Sequence, residues 1–163
     1  MKEISLILLC LISLMACKAQ ETPTQFSSEA LNDTFISLEG KQITFADILK
    51  QHKGRTVVID VWASWCRDCI KGMPKVKKLQ ENNSETVFLF LSLDKTEAAW
   101  KRGVVKYNLE GEHYYMQSGW KGAFGSFLDL DWIPRYLVIG KTGEIKVFRA
   151  IKADDKIIQE QLN

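Results

Sequence analysis

Runs of apolar residues predict a sheet with a buried centre. Thr56 to Trp62 and Thr86 to Leu93 are almost wholly apolar and rich in β-branched and aromatic side chains, a pattern typical of strands covered on both faces. Arg135 to Ile139 is a third such run. Glu144 to Ala150 alternates between apolar and polar residues, as a half-buried strand does.

Shorter patterns predict the remaining elements. Phe35 to Leu38 and Gln42 to Phe45 flank a short polar turn and favour a β-hairpin, and His113 to Met116 predicts a short strand. Asp94 and Glu97 are expected to cap a helix. Apolar residues at helical spacing predict helices at residues 44–52, 66–81, 94–107, 120–128 and 154–162.

The first 33 residues stand apart from these patterns. Lys2 precedes an apolar run from Ile4 to Met15 that is too short to span a membrane, which predicts a signal peptide at residues 1–16. The end of this run, Leu14-Met15-Ala16-Cys17, is similar to the lipobox of bacterial lipoproteins, so we expect Cys17 to be lipidated. Residues 17–33 then form a lipidated Cys and a flexible tether, and residues 34–163 the folded domain. Plain secretion after cleavage elsewhere is the alternative.

Composition limits the function classes. Removal of 16 of the 163 residues leaves 147, enough for one ordinary domain, which we expect to be a monomer. The formal charge of +2, from 22 basic and 20 acidic residues, predicts no nucleic-acid binding. Of four cysteines, Cys10 lies in the signal peptide and Cys17 at its end, which leaves Cys66 and Cys69 for the domain.

Cys66 and Cys69 directly follow the first apolar strand and are the main chemical feature of the chain. If a helix begins near Cys66, Cys69 lies on the same helix face, close enough for a small disulfide ring. A helix N-terminus favours a thiolate, the attacking species in disulfide exchange. The pair closes too short a loop for a structural bridge, and His52 and His113 lack zinc-ligand spacing. Redox chemistry is therefore favoured, with no metal or cofactor.

Asp60 and Trp65 are the first two candidates to assist this chemistry. Asp60 interrupts an apolar strand six residues before Cys66. Because a buried charge is costly, we expect a partner or a raised pKa, which makes Asp60 a candidate for proton transfer; a solvated position without a role is the alternative. Trp65 directly precedes Cys66 and either flanks the thiol or packs in the core.

The motif WASWCRDC after a strand, a helix containing Pro74, and an Ile-Pro before a strand-turn-strand-helix ending together resemble the thioredoxin fold. Within it, the chain is similar to the TlpA/ResA-like, membrane-tethered thiol-disulfide oxidoreductases, from about Thr34 to the C-terminus. The resemblance implies an α/β, three-layer thioredoxin-like fold with a central mixed β-sheet, an N-terminal hairpin and a central helix-strand insertion between Asp94 and Gln117.

The resemblance also implies roles for single residues. Cys66 matches the exposed nucleophile, Cys69 the resolving cysteine, Asp60 the proton acceptor or donor for Cys69, and Pro134 a cis proline facing the disulfide. With a cis bond, the Ile133 backbone would pair with an extended substrate.

Four further positions add to the implied site or depart from the family pattern. Trp132 is expected to line the substrate groove. The chain has Arg67-Asp68 where many relatives have Pro, and Gly72 where many have Glu.

The sequence thus predicts a lipid-anchored thiol-disulfide oxidoreductase of the cell envelope, facing the periplasm or exterior. We expect it to act as a reductant on protein thiol or disulfide substrates and to be re-reduced by a membrane electron donor. The alternative from another class is a binding module that holds an extended polypeptide or a soft metal ion such as Cu(I) on two thiolates.

Overall fold

The computed structural model describes residues 22–162, and its strands form one sheet. The strands are β1 (Thr34–Ser37), β2 (Gln42–Thr44), β3 (Val57–Trp62), β4 (Val87–Ser92), β5 (Glu112–Tyr115), β6 (Arg135–Ile139) and β7 (Ile145–Ala150). The helices are α1 (Ser28–Asn32), α2 (Phe45–Gln51), α3 (Arg67–Asn82), α4 (Glu97–Tyr107), α5 (Ala123–Phe127) and α6 (Lys156–Leu162), with a 3₁₀ turn at Gly119–Lys121. In this part of the chain no helix is long and apolar enough to cross a membrane.

The sheet is mixed, in the order β2-β1-β5-β4-β3-β6-β7. β3, β4 and β5 run parallel, and β6 lies antiparallel to β3 on the other side. The hairpin of β1 and β2 joins the sheet through β5, which follows α4 in the chain. The mixed sheet, the N-terminal hairpin and the helix-strand insertion of α4 and β5 are therefore as predicted.

The continuous apolar runs occupy the centre of the sheet. Every residue of β3, β4 and β6 is buried, because these strands have neighbours on both sides and are covered on both faces. On α3, the buried face carries Cys69, Met73, Val76 and Leu79. The C-terminal end of β3 leads directly to the start of α3, and this junction carries the two cysteines.

The segment before β1 differs from the predicted flexible tether. Phe26 packs edge-on against Phe45, with ring centroids 4.8 Å apart, and stacks on Phe124 at 6.0 Å. Residues Ser28–Asn32 form α1, and Ala30 on this helix is fully buried. The prediction of a flexible tether is wrong for residues 26–32. Phe26 and Ala30 are too few to reveal a helical or strand period in the sequence, yet both side chains pack on the core. The predicted signal peptide and Cys17 lie outside the described residues.

Two predicted helices differ in detail. The helix expected at residues 120–128 is divided, because the backbone at Gly122 is extended between the 3₁₀ turn and α5. Helix α4 is capped by Thr96, whose hydroxyl accepts a hydrogen bond from the Ala99 N–H at 3.2 Å. The prediction that Asp94 caps this helix is wrong: Asp94 is buried and bonded elsewhere.

Candidate active site

Cys66 and Cys69 form the predicted disulfide at the start of α3, with their Cα atoms 5.3 Å apart. Cys66 is the N-cap of this helix, and its Sγ accepts a hydrogen bond from the Cys69 N–H at 3.1 Å. The sulfur thus takes the place of the side-chain oxygen usual at an N-cap. After reduction, the Cys69 N–H and the helix dipole would stabilise negative charge on Sγ of Cys66.

The sulfur of Cys66, the predicted nucleophile, is more covered than the resemblance implied. Cys66 is 5% exposed and Cys69 3%. The carbonyl oxygen of Ile133 lies 3.7 Å from Sγ of Cys66, so this backbone segment and the disulfide ring together cover the sulfur. The Ile133–Pro134 peptide bond is cis, as the resemblance implied.

Large apolar side chains are exposed close to this covered sulfur. Trp65, next to Cys66 in the chain, is 53% exposed, so it does not pack in the core. Trp132 is 58% exposed and, with Pro134 and Ile151, lines a cavity of about 270 Å³. The predicted groove position of Trp132 therefore coincides with a cavity next to the cis proline.

Asp60 is buried in β3, as its apolar neighbours predicted. Burial raises the pKa of Asp60 to about 8, and the neighbouring hydroxyl of Tyr136 partly opposes the rise. Tyr136 lies directly opposite Asp60 on β6, so both side chains leave the same face of the sheet. Neither Oδ1 of Asp60 nor the Tyr136 hydroxyl has a partner of ordinary hydrogen-bond geometry within residues 22–162. An acid with this pKa can take up or release a proton near neutral pH.

A second buried carboxylate, Asp94, holds the loop in front of Cys66. Its Oδ2 accepts hydrogen bonds from the Ser64 N–H at 3.0 Å and the Ser92 hydroxyl at 2.9 Å, and its Oδ1 accepts from the Ser64 hydroxyl at 2.6 Å. The hydroxyl of Tyr107 on α4 donates to the Ser64 carbonyl at 3.3 Å. Sequence reasoning missed this network; the only signal for it was an acidic residue soon after a buried strand.

We expect Asp94→Ala to lower the free energy of unfolding by about 2–3 kcal/mol, because three donors lose a charged acceptor. The substitution should also loosen residues 63–66, which urea denaturation combined with hydrogen exchange of the loop amides would measure. Glu81→Ala, on the exposed face of α3, is the matched control and should change stability by less than about 0.5 kcal/mol. Equal effects of the two substitutions would contradict the anchoring role.

The loop before Pro134 is held by Arg135, which is 3% exposed. Its guanidinium donates to Oδ1 of Asp131 at 2.6 Å and to the Leu128 carbonyl at 3.4 Å. These contacts fix both ends of the segment that carries Trp132 and Ile133. Sequence reasoning treated Arg135 only as the first residue of a strand.

The two sulfurs are the soft donor atoms at this site. Across residues 22–162 no group of three or more His, Cys, Asp and Glu side chains is arranged to hold a metal ion. Once reduced, Cys66 and Cys69 would offer two soft thiolate ligands, a set that suits Cu(I).

Comparison with known proteins places this geometry in a family. A family model described as thioredoxin-like matches residues 54–145, which is more than half of the chain and includes both cysteines and Pro134. The chain belongs to the thioredoxin-like family. The match runs from just before β3 to the start of β7 and leaves out Ile151 of the cavity lining.

Individual thioredoxin-like proteins are similar to this chain over different lengths. The thiol-disulfide oxidoreductase ResA of Bacillus cereus is 34% identical over 94 residues, which are 56% of this chain and 52% of that protein. The matched part thus spans about half the length of the curated relatives. A Bacteroides vulgatus protein proposed to be a thiol-disulfide oxidoreductase is 27% identical, with a TM-score of 0.67 over 91% of both chains. The thioredoxin domain of another B. vulgatus thiol-disulfide oxidoreductase shares the fold, with a TM-score of 0.70 at 21% identity, over 88% of this chain and 100% of that one.

Proposed function

We propose that this protein is a thiol-disulfide oxidoreductase that exchanges disulfides with protein substrates and acts as a reductant. The observation that carries the proposal is the Cys66–Cys69 disulfide at the N-terminus of α3, in which Sγ of Cys66 accepts a helix N–H. A structural bridge of this size would stabilise little, whereas an N-terminal thiolate is suited to exchange.

The proposed cycle begins with the reduced pair. The Cys66 thiolate attacks a client disulfide, forms a mixed disulfide and expels one client thiolate. The Cys69 thiolate then attacks Sγ of Cys66, re-forms the Cys66–Cys69 bond and expels the second client thiolate. Two electrons pass from the pair to the client, both client thiolates take up protons, and an external dithiol donor must reduce the pair again.

Asp60 is the proposed proton acceptor for Cys69 in the second step. Cys69 is buried and must lose its proton before it can attack. The Asp60 carboxyl, with a pKa of about 8, is the buried titratable group that β3 places behind the start of α3. As the thiol loses its proton, the carboxylate would gain one, so that no uncompensated charge is added to the interior.

An extended polypeptide is the proposed substrate form. The Ile133 carbonyl lies beside the Cys66 sulfur, where an added strand could pair with the backbone while its cysteine reaches Sγ. Exposed Trp65 and Trp132 supply apolar contact area for such a segment. Two such rings suit a client with apolar residues near its cysteine.

We also propose that the domain works outside the cytoplasm on a lipid anchor at Cys17, as a monomer re-reduced by a membrane donor. Support comes from the lipobox-like residues before Cys17 and the apolar run from Ile4 to Met15. Mass spectrometry of the mature N-terminus tests the anchor: a diacylglyceryl mass on Cys17 supports it, and an unmodified terminus at another residue contradicts it.

Two measurements test the oxidoreductase itself. Equilibration of the full chain with glutathione should give a potential between roughly −270 and −120 mV, and a reductant requires a value toward the lower limit. The protein should also accelerate insulin reduction by dithiothreitol. If the pair does not turn over and the purified protein retains a bound metal, the binding-module alternative replaces this proposal.

A further inference from the structure

Two buried polar atoms on neighbouring strands have no ordinary hydrogen-bond partner within residues 22–162: Oδ1 of Asp60 on β3 and the hydroxyl of Tyr136 on β6. The two residues are 6% and 1% exposed and face each other across β3 and β6. A buried donor or acceptor without a partner is costly, so such atoms commonly bond to water or serve a function. Here the two lie opposite each other on neighbouring central strands.

Helix α3 presents no side chain to the buried Tyr136 hydroxyl at one position. A Cβ at Gly72 would lie 3.4 Å from this oxygen, so the hydroxyl faces a residue that has no side chain. Gly72, Pro134 and Tyr136 line the cavity of about 270 Å³ next to the cis proline, together with Trp132. A water molecule occupies about 30 Å³ of liquid, so this cavity has room for several waters.

We propose that Tyr136 connects buried Asp60 to water in this cavity, and that Gly72 keeps the connection open. Tyr136 acts through Asp60 and is therefore a positioning residue. The proposal rests on the proposed function in one respect: Asp60 is taken to be the proton acceptor for Cys69. When Asp60 releases the proton taken from Cys69, that proton passes to the Tyr136 oxygen while the hydroxyl proton passes to a cavity water. Tyr136 is neutral before and after the transfer, Asp60 returns to the carboxylate, and the cavity water carries the proton away.

The surroundings favour this concerted transfer over a free tyrosinate. Burial, followed by the Asp60 carboxyl, raises the pKa of Tyr136 above its ordinary value. The charged groups that face the cavity and the hydroxyl are Asp68, Lys71 and Lys75 on α3 and Lys152 and Asp154 after β7. Lys75 is paired with Asp154 at 2.7 Å. None of these groups lies between Asp60 and Tyr136, which are adjacent strand residues.

Tyr136→Phe tests the connection because it removes the hydroxyl and keeps the ring in place. Since the hydroxyl opposes the rise in the pKa of Asp60, its loss should raise that pKa further. Each unit of increase lowers the carboxylate fraction at pH 7 about tenfold. Infrared difference spectra of the full chain, recorded against pH, follow the carboxyl directly and need no client. An Asp60 titration unchanged by Tyr136→Phe would overturn the proposal.

The kinetic test uses dithiobis-nitrobenzoate, an aromatic disulfide that reports each thiol it releases. Attack by Cys66 releases the first thiol and attack by Cys69 the second, so the two steps are separated without a protein client. Tyr136→Phe should slow the second release about tenfold or more at pH 7, leave the first unchanged, and move the pH profile of the second step to higher pH.

Gly72→Leu tests the route to water with Tyr136 intact. Leucine is a better helix former than glycine, so α3 should be retained while the side chain fills the cavity. We expect a slower second release, whereas the matched Gly72→Ala, whose Cβ fits at ordinary contact distance, should stay close to the unsubstituted protein. Equal second-release rates in both variants would overturn the cavity route. Failure to reduce insulin would refute the proposed function. The infrared titration of Asp60 and the thiol release from dithiobis-nitrobenzoate need no protein client, so they would still test the role of Tyr136.

Discussion

Replacing Cys66 with Ser is expected to reduce catalysed insulin reduction to the uncatalysed background. A serine hydroxyl keeps the N-cap position of α3 and can still accept the Cys69 N–H, so the helix should remain capped. The hydroxyl is not ionised at neutral pH and cannot form a disulfide, so the first exchange step is lost. The turbidity that follows insulin reduction by dithiothreitol measures this loss.

Cys69→Ser is the matched control, because the hydrogen bond to Sγ of Cys66 comes from the backbone of residue 69 and is retained. This variant should attack a client once and then remain joined to it, since no resolving thiolate is present. Mass spectrometry should find the client on Cys66. Retained catalysis in Cys66→Ser, or a client adduct on Cys69 in that variant, would refute the assignment of the nucleophile.

The centre of this fold was readable from sequence because it depends on short-range patterns. An apolar β-branched run predicts a covered strand wherever it occurs, and two cysteines three residues apart at a helix start are close by helix geometry alone. The strands β3, β4 and β6 and the Cys66–Cys69 disulfide therefore follow from local rules. The order of strands does not: the resemblance implied a mixed sheet with an N-terminal hairpin, and the order itself is known only from the structure.

The features that sequence reasoning missed depend on long-range contacts. Asp94 bonds to Ser64, 30 residues earlier, and no local pattern distinguishes that contact from a helix cap three residues ahead. Tyr136 becomes relevant only because β6 pairs with β3 in a register that places it opposite Asp60. Local propensity does not favour one set of partners for Asp94 or Tyr136 over another, so their contacts are determined by the tertiary fold.

The N-terminal segment was misjudged for a related reason. Polar residues surround Phe26, so the segment resembles a linker by composition. Its ring nevertheless meets Phe45 and Phe124, Ala30 is fully buried, and Ser28–Asn32 form a helix, so several contacts together hold the segment on the core. Composition averages over a segment, whereas docking depends on where its few apolar side chains fall.

Asp60→Asn is expected to stabilise the protein and to impair its second chemical step. An Asp in the unfolded chain ionises near pH 4, whereas Asp60 in the folded protein has a pKa of about 8. Between these values the folded state holds a proton that the unfolded state has lost, so the free energy of unfolding falls as the pH rises. At pH 7 the free energy of unfolding is lower by roughly 4 kcal/mol than it would be below pH 4. The neutral amide of Asn would remove this loss but would carry its own cost of burial.

The sign follows from the direction of the shift: the stability associated with Asp60 is fully present below about pH 4 and is lost as the pH rises through about 8. Urea denaturation of the oxidised protein at pH 5, 7 and 9 should show a decline that Asp60→Asn flattens and that Glu81→Gln, on the exposed face of α3, leaves unchanged. The same Asp60→Asn variant should release the second thiol of dithiobis-nitrobenzoate more slowly than the unsubstituted protein. If Asp60→Asn and the unsubstituted protein lose stability with pH in parallel and release the second thiol at equal rates, Asp60 neither exchanges a proton in the cycle nor lowers the free energy of unfolding.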